Sequence, residues 1–380
     1  MLAIKPPMGW NSWNTFGAKI SEELIMETAD AMIEKGYRDA GYEYVIIDDC
    51  WSLRERVDGK LVADPELFPH GMKYLSDYVH SKGLKFGMYS CAGFQTCAGY
   101  PSSYGYEYED AKQFAEWGVD YLKYDFCNFP KSANRENAYL TMSMALRNCG
   151  RDILFAACNW GVGDPAKWMR SRGVHTFRSG GDIFDSPTSF MDIFKKQYNN
   201  VDNNGSDFYN DLDMLIVGMH GKGNVALGGC TNEEYMTHFA MWAFLGSPLI
   251  IGGDIRNLDD ESRDILLNKG LISINQDDEC RPPFIVRDEA NSISMMKILS
   301  NGKFAIGLFS FTNPNKQENA NSNIFTCISF DDIGIHSNTS LKVKLTDAIT
   351  GEELGIFEGG YRAFLNENSC KILIGEIVND

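Results

Sequence analysis

Apolar positions along the chain fall into two textures that change over near Phe284. Upstream, compact apolar runs such as "YEYVIIDDCW", "LKFGMYSCAG", "DYLKYDFCNFP", "ILFAACNW", "HTFRSGGDI", "FYNDLDMLIVG" and "SPLIIGGDI" predict buried strands. Stretches with apolar residues at helical spacing lie between them. "SEELIMETADAMIEKG" opens on Ser21 as an N-cap and stops at Gly36, and "TNEEYMTHFAMWAFLG" sets Thr231 and Glu234 in capping-box register. "DPAKWMRSRG" predicts a helix with Pro165 near its first turn. Counting the irregular opening "PPMGWNSW" as a strand gives eight strands alternating with eight helices over about the first 275 residues. Such alternation predicts an α/β fold of parallel strands, a (β/α)8 TIM barrel. An open doubly wound sheet is the alternative if the opening segment is not a strand.

From Phe284 onward the runs "NSISMMKIL", "KFAIGLFSF", "NIFTCISF", "LKVKLTDAITG" and "CKILIGEI" are short, alternating and separated by Asn, Gly and Ser. They predict a C-terminal antiparallel β-sandwich domain. The expected division is a catalytic barrel over 1–280 and a sandwich over 281–380, packed directly together because no low-complexity linker intervenes.

Composition narrows the function. A chain of 380 residues exceeds one small core, and 44% hydrophobic with 23% charged residues is ordinary for a globular protein. A net charge of −17 argues against nucleic acid as a partner, since that affinity comes from cationic contacts with phosphates. No run reaches the ~20 apolar residues of a membrane span. "MLAIKPPMGWNSW" has no basic segment followed by a long apolar one, so a cytoplasmic protein is expected. The ten cysteines include no CxxC pair, which weakens zinc and redox-motif readings.

Polar residues interrupt the apolar runs at recurring places. Lys123 and Asp125 lie two apart on one strand and share a face. Asp48 and Asp49 end the second predicted strand, Tyr89 the third, Cys158 and Trp160 the fifth, Arg178 and Asp182 the sixth, and Asp213 the seventh. A single strand-end aspartate is as readily a helix N-cap or turn former. Convergence from several strands on a barrel's C-terminal rim instead predicts one polar pocket, because active sites of such barrels are built there. Three rival readings arise. "GVGDPA" matches a glycine fingerprint for dinucleotides, but it lies mid-chain and Pro165 removes a backbone donor. Carboxylates on successive strands could bind Mg²⁺, which Lys123 and Arg178 would repel. A non-catalytic carbohydrate-binding protein would use Trp10, Trp13, Trp51 and Trp160 as sugar platforms, although tryptophan is more often core.

The segments "PPMGWNSWN", "IDDCW", "ADPELFPHGMKYLSDYVHSKGLKFGMYS", "TCAGYP", "WGVDYLKYDFC", "NDLDMLIVG" and "INQD" resemble, in order, the glycoside hydrolase family 27 α-galactosidases, or melibiases. The resemblance implies a (β/α)8 barrel followed by a β-sandwich, a small carbohydrate substrate, retaining hydrolysis of terminal α-linked galactose, and no metal or organic cofactor. It places Asp125 as nucleophile and Asp182 as acid/base, with Asp185 as competitor because "FRSGGD" departs from the usual pattern, as does "YNDLDM". Lys123 is expected to favour the ionised nucleophile, and Asp182 to keep a raised pKa. Asp48 and Asp49 resemble the pair that accepts the galactose 4- and 6-hydroxyls, with Trp13 over the ring, Tyr89 and Lys123 lining it, and Arg178 and Asp213 framing the anomeric side. Cys158 and Trp160, expected on one strand face, resemble the bulky pair near the 2-hydroxyl. Family members acting on α-N-acetylgalactosaminides carry smaller residues there, and those acting on β-L-arabinopyranosides replace the second aspartate of "IDD". Cys97 and Cys127 sit where family members often have a disulfide.

Overall fold

The structure is a computed structural model, and it describes residues 1–198, 200–312, 323–336 and 338–378. The upstream strands are β1 (Met8–Asn11), β2 (Tyr44–Ile46), β3 (Lys85–Cys91), β4 (Tyr121–Asp125), β5 (Leu154–Cys158), β6 (Thr176–Arg178), β7 (Tyr209–Asp211) and β8 (Leu249–Ile251). They form one eight-stranded parallel sheet in the order β7-β6-β5-β4-β3-β2-β1-β8. Leu215, just past β7, closes it onto β8: its N–H donates to Ile250 O at 2.7 Å and its carbonyl accepts from Gly252 N–H at 2.8 Å. The ring is the predicted TIM barrel.

The helices are α1 (Trp13–Phe16), α2 (Glu22–Glu34), α3 (Gly71–Ser81), α4 (Glu107–Trp117), α5 (Arg135–Arg147), α6 (Pro187–Gln197), α7 (Asn232–Leu245), α8 (Asp260–Leu266) and α9 (Lys269–Asn275). Ser21 caps α2 by accepting from Leu24 N–H, and Thr231 with Glu234 forms the complete capping box of α7. The helix expected over "DPAKWMRSRG" is instead two 3-10 turns, Pro165–Lys167 and Arg170–Arg172. The first turn ends at Trp168, whose φ of −130° departs from helical values, so the two turns do not join. No α-helix N-terminus therefore follows "GVGDPA" to receive a pyrophosphate. α9, which continues beyond "DESRDILLNKG" after the Asn268 cap, was not anticipated. None of the described helices is long and apolar enough to cross a membrane.

β4 shows why polar residues interrupt its apolar run. Leu122 and Tyr124 belong to the core between strands and helices. Tyr121 packs in the other direction, into a barrel-interior cluster with Tyr44, Leu154, Ala156, Tyr209 and Ile250. Strand alternation then aims Lys123 and Asp125 up the same interior face. The apolar cluster fills the bottom of the barrel and the charges take the top.

Downstream strands are β9 (Phe284–Glu289), β10 (Ser292–Ile298), β11 (Lys303–Ser310), β12 (Ile324–Ser329), β13 (Lys342–Asp347), β14 (Glu353–Phe357), β15 (Gly360–Leu365) and β16 (Cys370–Val378). Six form an antiparallel sheet, β14-β13-β16-β11-β10-β9, and β12 pairs with β15 in a second. On β11, Phe304, Ile306 and Leu308 point into the core between these sheets, whereas Ala305 and Phe309 join the barrel core. Phe309 meets Phe194 of α6 and Phe244 of α7 at 5.2 and 5.8 Å between ring centroids. Covered on both faces, β11 reads as an unbroken apolar run. α7 is buried all round for the same reason, lying between barrel and sheet. Lys297 of β10 also enters this seam: its Nζ donates to Ile274 O at 2.8 Å, and burial pulls its pKa down to about 8.

Candidate active site

The strand register sets the rim of the barrel. Cys91, Asp125, Cys158, Arg178 and Asp211 are successive neighbours across β3 to β7, in one row at the strands' C-terminal ends. Tyr89 of β3 and Lys123 of β4 lie just below the row, and loops above it supply the rest. Trp13, Asp48, Asp49, Tyr89, Lys123, Asp125, Cys158, Trp160, Arg178, Asp182 and Asp213 all line one cavity of about 170 Å³. That is well below the ~300–1,000 Å³ of pockets for drug-sized ligands and suits one small polar unit. A larger depression of about 620 Å³ at the opposite end of the barrel, near Arg147, Asp152 and His175, contains none of these residues.

Charge is distributed by pairing. Lys123 Nζ lies 2.8 Å from Asp48 Oδ2, which also accepts from Asn11 Nδ2 at 2.8 Å. Burial alone would lower the Lys123 pKa, but the charges of Asp48 and Asp125 outweigh it and hold the ammonium. Arg178 Nη2 bridges Asp182 Oδ1 and Asp213 Oδ2, both at 2.7 Å. Asp213 sits at φ 84°, accepts from Ile183 and Met214 N–H groups at 2.8 Å, and is pushed up by burial against the pull of Arg178. Asp49 accepts from Cys50 N–H at 2.7 Å and Ala98 N–H at 3.0 Å; burial raises its pKa against those donors.

Asp125, like Asp49, is held by hydrogen bonds alone, but by one backbone N–H and a hydroxyl where Asp49 has two backbone N–H groups. Lys123, on the same face of β4, does not pair with it, since that ammonium turns to Asp48. Among the described residues no salt bridge reaches Asp125. Its Oδ1 accepts from Phe126 N–H at 2.8 Å and its Oδ2 from the Tyr89 hydroxyl at 3.1 Å. Burial pushes its pKa up to about 6, opposed by the nearby Lys123 charge. Lys123 therefore acts on it through space, in the expected direction but less than burial.

Asp182 and Asp185 separate cleanly. Asp182 is 67% exposed at the mouth of the cavity, beyond the end of β6. Asp185 is fully buried and does not line the cavity. Its carboxylate accepts from Gly221 N–H at 2.6 Å and the Tyr235 hydroxyl at 2.8 Å, pinning the loop after β6 to the loop after β7. Trp160 also lies beyond its strand, at φ 56°, so strand alternation does not place it beside Cys158 as expected. Both reach the cavity, but Trp160 does so through a turn, edge-on to Phe126 at 6.2 Å. Trp10 and Trp51 are not platforms. They are buried, with ring N–H groups bonded to Gly253 O and Tyr89 O.

The cavity also includes Asn14, Cys97, Ile183, Phe184, Met214, Asn224 and Val225. Asn14 O accepts from the N–H groups of Asn224 and Val225, which draws the loop after β7 over the site. Cys97 and Cys127 are joined in a disulfide linking the loops after β3 and β4. Phe184 could have been noticed as an aromatic beside Asp182, whereas Asn224 and Val225 sit in "GKGNV", where no periodicity marks them.

A barrel with an appended sandwich and a carboxylate-walled cavity at its rim has the layout of a glycoside hydrolase. The sequence profile of the Melibiase_2 family, described as Alpha galactosidase A, matches residues 5–277. The chain is 44% identical over 316 residues to Alpha-galactosidase A of Cellvibrio japonicus, covering 80% of this chain and 76% of that one. It is 38% identical over 375 residues to the Alpha-galactosidase of Cyamopsis tetragonoloba, covering 98% and 86%. The crystal structure of alpha-galactosidase I from Mortierella vinacea superposes with a TM-score of 0.89 at 34% identity, covering 98% and 97%. The chain belongs to the Melibiase_2 family, the glycoside hydrolase family 27 α-galactosidases.

The burial of Asp125 makes a stability prediction. Folded Asp125 titrates near 6. An unfolded aspartate titrates near ~3.9. Between those values the folded chain keeps a proton that the unfolded chain has lost, so stability falls as pH rises through the window. At neutral pH the ionised group costs the fold about 3 kcal/mol. Asp125→Asn should therefore raise the thermal midpoint at pH 7 and lose that advantage at pH 4. An equal or lower midpoint at pH 7 would contradict the burial assigned to Asp125.

Proposed function

We propose that the enzyme removes single terminal galactose units from α-galactosides with retention, using Asp125 as nucleophile and Asp182 as acid/base. The observation that carries this reading is the contrast between the two groups. Asp125 is a buried carboxylate on the cavity floor, oriented by Phe126 N–H and the Tyr89 hydroxyl and free of any ion pair among the described residues. Asp182 stands at the exposed mouth, where a leaving group departs and water enters. Retention needs an ionised group to attack the anomeric carbon and a protonated one to donate to the leaving oxygen. Attack by Asp125 forms a galactosyl ester as Asp182 protonates the departing oxygen. Water, deprotonated by Asp182, then cleaves the ester.

Acceptor counting supports a neutral, hydroxyl-rich ligand. A carboxylate offers about four lone-pair sites. Asp48 spends three, on Asn11, Lys123 and the Asp49 N–H. Asp49 spends three, on Cys50, Ala98 and Thr96. Each keeps about one open acceptor, matching two adjacent sugar hydroxyls such as the 4- and 6-positions. The small cavity takes one such unit, which supports exo action on melibiose, raffinose-type sugars or galactomannan side chains. Cys158 and Trp160 narrow it further, which favours galactose over a sugar bearing a 2-acetamido group.

Two outcomes are expected. Asp182→Ala should lose most of its activity on substrates with poor leaving groups and far less on activated aryl galactosides, which need little protonation. Added azide should restore aryl turnover and yield the β-galactosyl azide. Asp182→Ala behaving like the native enzyme on both substrate classes would remove Asp182 from the role. The native enzyme should also prefer p-nitrophenyl α-galactoside to the α-N-acetylgalactosaminide by a large ratio of kcat/KM values, and Trp160→Ala should narrow it. Comparable native rates on both substrates would refute steric exclusion at the 2-position.

A further inference from the structure

The disulfide between Cys97 and Cys127 lies against the proposed nucleophile. Cys97 Sγ is 3.7 Å from Asp125 Oδ2. The two sulfurs and a carboxylate oxygen of Asp125 all fall within 4.8 Å of one another. While the sulfurs are bonded together they carry no charge and offer no ligand. Once separated, they become two thiols and a carboxylate converging on one point. Cys127 and Asp125 are buried there, and Cys97 is on a more exposed loop.

We propose that reduction of this disulfide creates a binding site for a thiophilic divalent cation such as Zn²⁺ or Cd²⁺. Cys97, Cys127 and Asp125 are its ligands, and occupancy silences the enzyme. The electron balance is that of ordinary exchange. A dithiol reductant gives up two electrons and two protons, one S–S bond becomes two S–H groups, and the reductant closes its own disulfide. The cation then displaces both thiol protons and binds the thiolates. Two sulfurs and one carboxylate oxygen suit a tetrahedral ion at about 2.3 Å from sulfur and about 2.0–2.2 Å from oxygen, with the fourth position open. On a tetrahedral ion the two sulfurs stand about 3.8 Å apart, so after reduction they separate while the Asp125 oxygen and the farther sulfur draw together, and Cys97 is the more exposed of the two cysteines. The flanking cations are already engaged, Lys123 with Asp48 and Arg178 with Asp182 and Asp213, so neither is bonded to the Asp125 carboxylate.

Binding is independent of the role of Asp125, whereas silencing rests on its being the nucleophile. The test therefore reads them separately. Oxidised protein and protein reduced with dithiothreitol, then desalted without air, are titrated with CdCl₂ while the thiolate-to-cadmium charge-transfer absorbance is followed. Eight other cysteines are free, so the reference is a Cys97→Ser, Cys127→Ser double variant treated identically. Reduced native protein should take up one tight equivalent more than either the oxidised protein or the double variant, with extra charge-transfer absorbance. Its hydrolytic activity should fall about tenfold or more as that equivalent binds, return with EDTA, and be unaffected in the oxidised form. Reduced Asp125→Asn should keep the thiolate absorbance but bind cadmium about tenfold or more weakly, the scale on which even weaker perturbations of a metal site act. Equal uptake by reduced native protein and the double variant would overturn the site. An extra equivalent that leaves activity intact would overturn the silencing. No hydrolysis by the oxidised protein before any metal is added would instead count against the functional reading.

Discussion

Buried charge at the top of the barrel is the constraint on which the rest depends. Asp48, Asp49, Asp125, Arg178 and Asp213 are buried around one cavity, with Lys123 only partly exposed among them. Removing such groups from water costs several kcal/mol each unless they are paired or hydrogen-bonded. Lys123 answers Asp48, Arg178 answers Asp213, and backbone N–H groups answer Asp49. Asp125, like Asp49, is left with hydrogen bonds and no cation of its own, and it has one backbone N–H donor where Asp49 has two. A nucleophile needs that arrangement, because a carboxylate locked in a tight ion pair would lose reactivity with its charge.

The scaffold holds this excess charge in place by packing around it. Tyr44, Tyr121, Leu154 and Tyr209 fill the barrel below the rim, so its floor cannot collapse. Asp185 pins the two loops that carry Asp182 and Asn224, and the disulfide pins the loops beside Asp125. The sandwich contributes at a distance. Its sheet lies on α6 and α7 through Phe309, and the ring N–H of Trp242 on α7 bonds to the backbone oxygen of Asp213. A path of packed side chains thus links the second domain to a residue of the cavity.

Much of this was legible in the sequence, and the failures have physical causes. Apolar runs and helix caps revealed the barrel, since its strands are buried on both faces and its longer helices carry the local signals that start and stop them. Polar residues at strand ends gave the cavity because the strand register is regular across β3 to β7. Partner choice was not legible: Lys123 and Asp125 share a face, yet Lys123 bonds to Asp48 on another strand. The helix expected over "DPAKWMRSRG" failed because the backbone leaves helical values at Trp168, which a propensity pattern does not show. Trp10 and Trp51 looked like Trp13 until their burial was known. Three sandwich strands, β9, β14 and β15, carry exposed or mixed patterns and escaped notice.

The central claim is that Asp125, on the cavity floor, attacks the sugar. A mechanism-based fluoro-galactoside tests it most directly, because the fluorine slows breakdown of the galactosyl ester and lets it accumulate. Mass spectrometry of the digested, inactivated enzyme should find one fluorogalactosyl group, on the peptide containing Asp125. A label on Asp182, Asp213 or any other residue would contradict the account.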